Sequence, residues 1–287
     1  MSAMLDLTGR QRPVATDSAQ KDSATVRGAP TRRYTRRVAA ILLFVALWQA
    51  AVHIHLSLGF VTFANVPSPA DAIPALWTLL HSPKLPMHLA ASITRVLAGF
   101  CAAAVVGLGL GLAIGRYALL EDLLMPPLEM LRPIPAVAWI PLAILMFPSS
   151  EISMMFVTFI GALFPILLNT IHGVEAVDQR LIATARGLGT NSLSLYTEVI
   201  LPGAAPSIFT GLSIGMGTAW FCLVTAEMIA GQYGIGYYTW ESYTLQNYAD
   251  IVVGMALIGV LGMGSSMLIK RMGAALTPWY RRNGARR

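Results

Sequence analysis

Charge is scarce in this chain: Asp, Glu, Lys and Arg make up 12% of its 287 residues, about half the share found in ordinary soluble domains. Cysteine is scarcer. Cys101 and Cys222 are the only two, and both lie inside apolar segments, which argues against a disulfide framework or a cysteine-based metal centre. The histidines (His53, His55, His81, His88, His172) fall into no metal-ligand spacing; His53 and His55 are expected as interfacial side chains. Also missing are a Walker phosphate loop, a nucleophile beside a base, and a carboxylate pair placed for acid–base work. Gly107-Leu108-Gly109-Leu110-Gly111 is too apolar to cradle phosphate. No catalytic residue, metal site or cofactor is therefore expected in this chain.

The net charge of +6 could suggest nucleic acid, but its distribution argues otherwise. Eight basic residues (Arg10, Arg12, Lys21, Arg27, Arg32, Arg33, Arg36, Arg37) precede the first apolar segment, and six (Lys270, Arg271, Arg281, Arg282, Arg286, Arg287) close the chain. No aromatic platform is interleaved with them, so they read as topology signals.

Apolar length is what the chain has instead. It is 55% hydrophobic, with a mean hydropathy of +0.63. About 20 residues at 1.5 Å each cross a hydrocarbon core, which predicts helices near 38–59, 92–115, 122–147, 152–173, 206–229 and 250–272. The fold class expected is all-α, a polytopic membrane protein with six transmembrane helices. Pro126, Pro127, Pro133, Pro135 and Pro141 must bend or interrupt the third. With both termini inside, Arg116, Arg180 and Arg186 are also inside, and the opposite side holds only Lys84. That asymmetry predicts N-in, C-in. Residues 1–37 read as a disordered cytoplasmic tail rather than a signal peptide. Residues 38–91 read as the first span and an outer segment, 92–272 as the core with a cytoplasmic loop at 174–205, and 273–287 as a basic cytoplasmic tail.

On the outer side, Ala70 to His81 is expected as a short interfacial helix with Trp77 at headgroup level. Residues 230–249 carry glycines that suit a turn. Their aromatics suit either an interface belt or a docking surface for an external protein. In the second span Gly99, Ala103, Gly107, Gly111 and Gly115 recur at every fourth residue, a flat stripe for close helix packing. Gly211, Gly215 and Ala219 repeat the device.

Charges at membrane depth are costly, so each one is informative. Arg132 lies between Leu131 and Pro133, where Pro133 and Pro135 free backbone carbonyls. It either faces a pathway, favouring an anionic solute, or satisfies those carbonyls. Arg95 and Glu227 are expected at the outer interface, with pathway roles open for both and Glu227 the pathway candidate. Asn169 and His172 are candidates for an inner gate or for hydrogen bonds between helices.

The polar loop carries its own helix signals. Leu181, Ala185 and Leu188 form a short apolar face, Gly187 and Gly189 can end that helix, and Asn191 can cap a second one running to about Ile200. Pro202 is expected to stop the second helix and Pro206 to open the fifth span. The product is an elbow projecting from the bundle.

Gly189, nine intervening residues and Val199-Ile200-Leu201-Pro202 resemble the Glu-Ala-Ala coupling loop of ABC importer permeases. In that register Ala183 replaces the leading Glu, Thr184 replaces the first Ala, and Ala185 is the second; Arg186 and Gly187 follow. The missing Glu removes any ion pair made from that position and leaves the shape of the elbow. Val66-Pro67-Ser68-Pro69, Arg95 to Phe100, Leu131 to Ala136, Phe164 to Thr170, Ala226-Glu227-Met228 and Gly234-Ile235-Gly236 resemble the nitrate, sulfonate, taurine and bicarbonate branch. The resemblance implies a bacterial inner-membrane permease, paired with a second copy as a homodimer. Its other partners would be a cytoplasmic ATPase dimer that binds ATP and Mg, and an extracytoplasmic solute-binding protein. The elbow, including Val199, Leu201 and Pro202, would seat on the ATPase. The expected cargo is a small anion moved by alternating access. A secondary transporter is the alternative, and it would show inverted repeats and midplane coupling carboxylates.

Overall fold

The computed structural model describes residues 30–55, 57, 59, 63 and 65–280. Most of the expected tail and residues 281–287 lie outside that set. The chain divides into two compact units, residues 1–64 and 65–287. In the first, α1 (Pro30–His53) begins eight residues before the expected span and stops short of residue 59. Residues 30–37 are thus helix, not tail, because no glycine or proline after Pro30 interrupts the run into the apolar segment.

The second unit comprises α2 (Pro69–Leu80), α3 (Leu85–Ile114), α4 (Ala118–Leu131), a 3₁₀ turn at Ala136–Trp139, α5 (Ile140–Met146) and α6 (Ser150–Glu175). Then come α7 (Gln179–Gly187), a single turn α8 (Ser192–Ser194), a π segment (Leu195–Ile200), α9 (Leu201–Ala230), α10 (Ile235–Thr244) and α11 (Tyr248–Leu276). Five helices among the described residues are long and apolar enough to cross a bilayer, or up to six if the bent pair α4 and α5 counts as one span. The expected interfacial helix at 70–81 is α2. A capping box fixes its start: Ser68 N–H and Oγ donate to Asp71 at 2.9 and 2.7 Å, and Asp71 N–H donates back to Ser68 Oγ at 3.2 Å. The two that Ser68 donates to the carboxylate, the hydroxyl first and then the backbone N–H, hold the Asp71 carboxyl below its ordinary value.

α6 is the centre of the bundle, and small residues put it there. A Cβ on Gly99 would meet Thr158, on Gly107 Ile166, on Gly111 Thr170 and on Gly115 Val174. The partner is 59 positions on each time, so α3 and α6 run parallel in fixed register. Ala103, in the same stripe, is fully buried. From the other side Gly211 admits Asn169, Gly215 admits Ile166, and Gly173 of α6 admits Ser207, so α9 runs antiparallel to α6. Val96, Phe100, Met154, Ile166, Met216 and Trp220 fill the core between them, and Trp220 Nε1 donates to Ser265 of α11 at 2.9 Å.

This packing makes a paired prediction. Gly111→Ala places its Cβ 2.6 Å from Thr170 Cβ, whereas Gly109, on the opposite face, has nothing within 4 Å. Gly111→Ala is expected to cost about 1–3 kcal/mol, as overpacking does; Gly109→Ala should be neutral or better. Thermal melting of the detergent-purified chain checks this, and equal melting of the two variants would refute the ladder's role.

The third span breaks at its prolines as expected, and two other elements differ from expectation. The third span is two arms meeting at 83°, broken at residues 132–135, where Pro133 and Pro135 follow each other too closely for helix to continue. Pro126 and Pro127 stay inside α4, and Pro141 opens α5. The second elbow helix does not stop at Pro202. Leu201 N–H donates to Tyr196, five residues back, and the widened turn delivers Pro202 to the first turn of α9, where a missing N–H costs least. Residues 235–244, expected as a turn with aromatics, form α10.

Candidate functional site

Two regions at opposite ends of the bundle gather the chemistry. At one end, α7 is capped by Asp178, whose Oδ1 accepts from Arg180 N–H at 2.9 Å. It closes through a Schellman motif: Gly189 N–H donates to Arg186 at 3.0 Å and Thr190 N–H to Ala185 at 3.1 Å. Gly189 sits at φ +79°, the left-handed conformation glycine adopts without cost. Asn191 Oδ1 then accepts from Ser194 N–H at 2.7 Å and starts the next helix, as expected.

The elbow packs by a different face than its spacing suggested. Ile182 is buried among Val174, Val177, Leu195 and Ile200, with Ala185 beside it. Leu181 and Leu188 are 59% and 82% exposed. One turn of an amphipathic helix offers two readings of its apolar stripe, and the fixed apolar floor below takes the β-branched residue. Ala183, Thr184, Arg186, Gly187 and Gly189 are exposed, Val199 and Pro202 half-buried, and Leu201 exposed. With Leu193, also exposed, the elbow presents leucines and two arginines, Arg180 and Arg186, outward.

Of the pathway candidates, Arg132, Pro133 and Pro135 all lie exposed on the break between α4 and α5. Asn169 is half-buried against Gly211 of α9, and its amide donates to the Pro165 carbonyl at 2.8 Å, within its own helix rather than to a neighbour. His172 is exposed.

The opposite end holds what the sequence did not announce. Arg95 and Glu227, expected at an interface, are 2% and 0% exposed. Arg95 Nη1 donates to Glu227 Oε1 at 2.8 Å and to the Tyr233 carbonyl at 2.6 Å. Its Nε and Nη2 fork onto Glu151 of α6. Ser92 Oγ lies 2.8 and 2.9 Å from the two Glu227 oxygens, donating to that carboxylate. Three successive backbone donors at the start of α10 each meet a side chain. Gly234 N–H donates to His88 Nδ1 at 3.1 Å, Ile235 N–H to Ser92 Oγ at 2.9 Å and Gly236 N–H to Glu227 Oε2 at 2.9 Å. The carboxylate thus sits where a helix N-terminus favours an anion. Gly234, at φ +128°, has room for no side chain over Glu227. Two charges pair at depth here because burial strengthens their attraction and three donors, Ser92 Oγ, Arg95 Nη1 and Gly236 N–H, complete the carboxylate. The available signal was Gly231-Gln232-Tyr233-Gly234-Ile235-Gly236 closely following a carboxylate in an apolar run.

Among the described residues no cluster of His, Cys, Asp and Glu could hold a metal ion, and both cysteines are free thiols.

Comparison with known proteins gives a consistent set of relatives. Residues 104–282 match the family described as binding-protein-dependent transport system inner membrane component. The nitrate import permease protein NrtB of Synechocystis is 36% identical over 70% of this chain and 76% of its own length. SsuC of Escherichia coli, named for aliphatic sulfonates transport, is 38% identical over 88% and 96%. The bicarbonate transport system permease protein CmpB of Synechococcus elongatus is 37% identical over 67% and 68%. An inward-facing structure of the MetNI methionine ABC transporter superposes with a TM-score of 0.57 at 19% identity, covering 71% of this chain and 99% of that one. That likeness concerns the fold.

Proposed function

The chain belongs to the family of binding-protein-dependent transport system inner membrane components, and from that premise we propose that it is the permease subunit of an ATP-driven importer for a small anion. The observation that carries the reading is the elbow. It is a capped helix whose own packing is complete through Ile182, yet it leaves Leu181, Leu188 and Leu193 exposed beside Arg186. Exposed leucines on a rigid projection mark a surface for a protein partner. A cytoplasmic ATPase, which would bind ATP and Mg itself, is the partner that fits this family.

In this reading both termini and the elbow lie in the cytoplasm of a bacterial cell, and α2 and α10 face outward, where a solute-binding protein delivers cargo. Two copies related by a twofold axis enclose the pathway. The face that α4 and α5 leave unburied, with no buried residue on α4, supports that second copy. Arg132, at the break of the third span, would meet the anion there. Nitrate, sulfonate and bicarbonate in the relatives' names support the charge class. The substrate itself is selected mainly by the binding protein.

Gly189→Ile tests the elbow. A side chain there has open space, so the cost is in the backbone alone, about 1–2 kcal/mol for a left-handed residue with a side chain. That strain lowers the docking-competent population roughly 5- to 30-fold. Copurification of the ATPase and solute uptake should both fall while bundle melting holds. Unchanged copurification and uptake would remove the assignment.

A further inference from the structure

The elbow and the outward helix α10 are joined by one rod. From Ser192 to Ala230 the chain is helical for 39 residues, about 58 Å at 1.5 Å per residue, because the π segment carries it past Pro202. At one end the rod is packed under α7. At the other, Glu227 stands one turn before the end of α9 and holds the first turn of α10 by Gly236 N–H, while Ser92 and His88 of α3 hold the two donors before it. Gly231 and Gly234 let the connecting turn fold back over that carboxylate.

α10 has little else to fix its start. Its inner face, Ile235, Gly236, Thr239 and Ser242, is buried, with Thr239 packed on Gly254 of α11, and α11 is itself bonded to α9 through Trp220. Its outer face exposes Trp240 and Tyr243, with Tyr233 just before it. Arg95 ties the same carboxylate to Glu151 of α6. α3, α6, α9 and α10 therefore meet at one buried charge, and α4 and α5 take no part in it.

We infer that Glu227 is a positioning residue that makes α9 and α10 a single mechanical unit, so that a displacement of the elbow is delivered to the outward aromatic face of α10. This rests on the elbow docking an ATPase, as proposed above. Glu227 touches no cargo; it works by seating the N-terminus of α10.

The test uses the full chain with its ATPase in lipid nanodiscs and a nitroxide label at Tyr243. In the parent, trapping ATP on the ATPase should change the spectrum of the α10 label. Glu227→Gln keeps size and removes the charge that draws the α10 donors and Arg95. Ser92→Ala is a milder second variant that removes one of the three anchors. The expected result is ATPase copurification retained in both, with the ATP-induced change at Tyr243 lost at least 5-fold in Glu227→Gln and reduced in Ser92→Ala. A residue of merely structural importance would lower copurification and the label response together. A full label response in both variants overturns this inference alone. No ATPase association by the parent chain overturns the docking reading, and this inference with it.

Discussion

Leu188→Asp is expected to weaken binding of the partner ATPase at least about 30-fold while the bundle melts as before. Leu188 is 82% exposed and caps α7 by its backbone, so its side chain contributes almost nothing to the free chain. On docking the balance changes. Burying a leucine is worth about 1.5–3 kcal/mol, and a carboxylate in its place is desolvated without a partner at further cost. A loss of about 2 kcal/mol is already a factor of roughly 30 in affinity. Ile182→Asp supplies the contrast. That side chain is buried under the elbow, so its replacement should lower melting as well as binding. Titration of the purified ATPase against each detergent-solubilised variant separates the two. If Leu188→Asp binds as tightly as the parent, the exposed leucines are not the docking surface.

The difference between those two leucine-like positions also shows where sequence reading stops. Segment lengths, the four-residue glycine repeat, Gly189 as a helix end and Asn191 as a helix start are local signals, and each is where its chemistry puts it. Which side of α7 faces down is not local. Leu181, Ala185 and Leu188 are as good a stripe as Ile182 and Ala185 until the floor of Val174, Val177 and Leu195 exists. The continuity through Pro202 depends on a π turn that no residue type demands. α10 was hidden for another reason. A run with Gly234, Gly236 and four aromatics has poor helix propensity, and its helix is nucleated by three side chains from other elements. Arg95 and Glu227 were visible as charges in apolar runs, but they are 132 positions apart, and nothing in either run names the other.

That pairing carries the last large expected effect. Arg95→Leu leaves Glu227 fully buried with its counter-charge gone, and breaking such a pair costs about 3–5 kcal/mol. Glu151→Gln, at the other arm of the same guanidinium, should cost far less. Its carboxylate is 55% exposed, water screens it, and exposed pairs are worth about 0–1 kcal/mol. The double variant Arg95→Leu/Glu227→Leu removes both buried charges and should recover most of the melting temperature lost by Arg95→Leu alone, since apolar groups of similar volume can replace a buried pair. It cannot recover the seat of α10, because leucine accepts no hydrogen bond from Gly236. Stability and helix positioning therefore part company in this one protein: a chain that melts like the parent but no longer moves α10 on ATP trapping. If Arg95→Leu melts no lower than Glu151→Gln, the buried Arg95–Glu227 pair is not what holds this end of the bundle together.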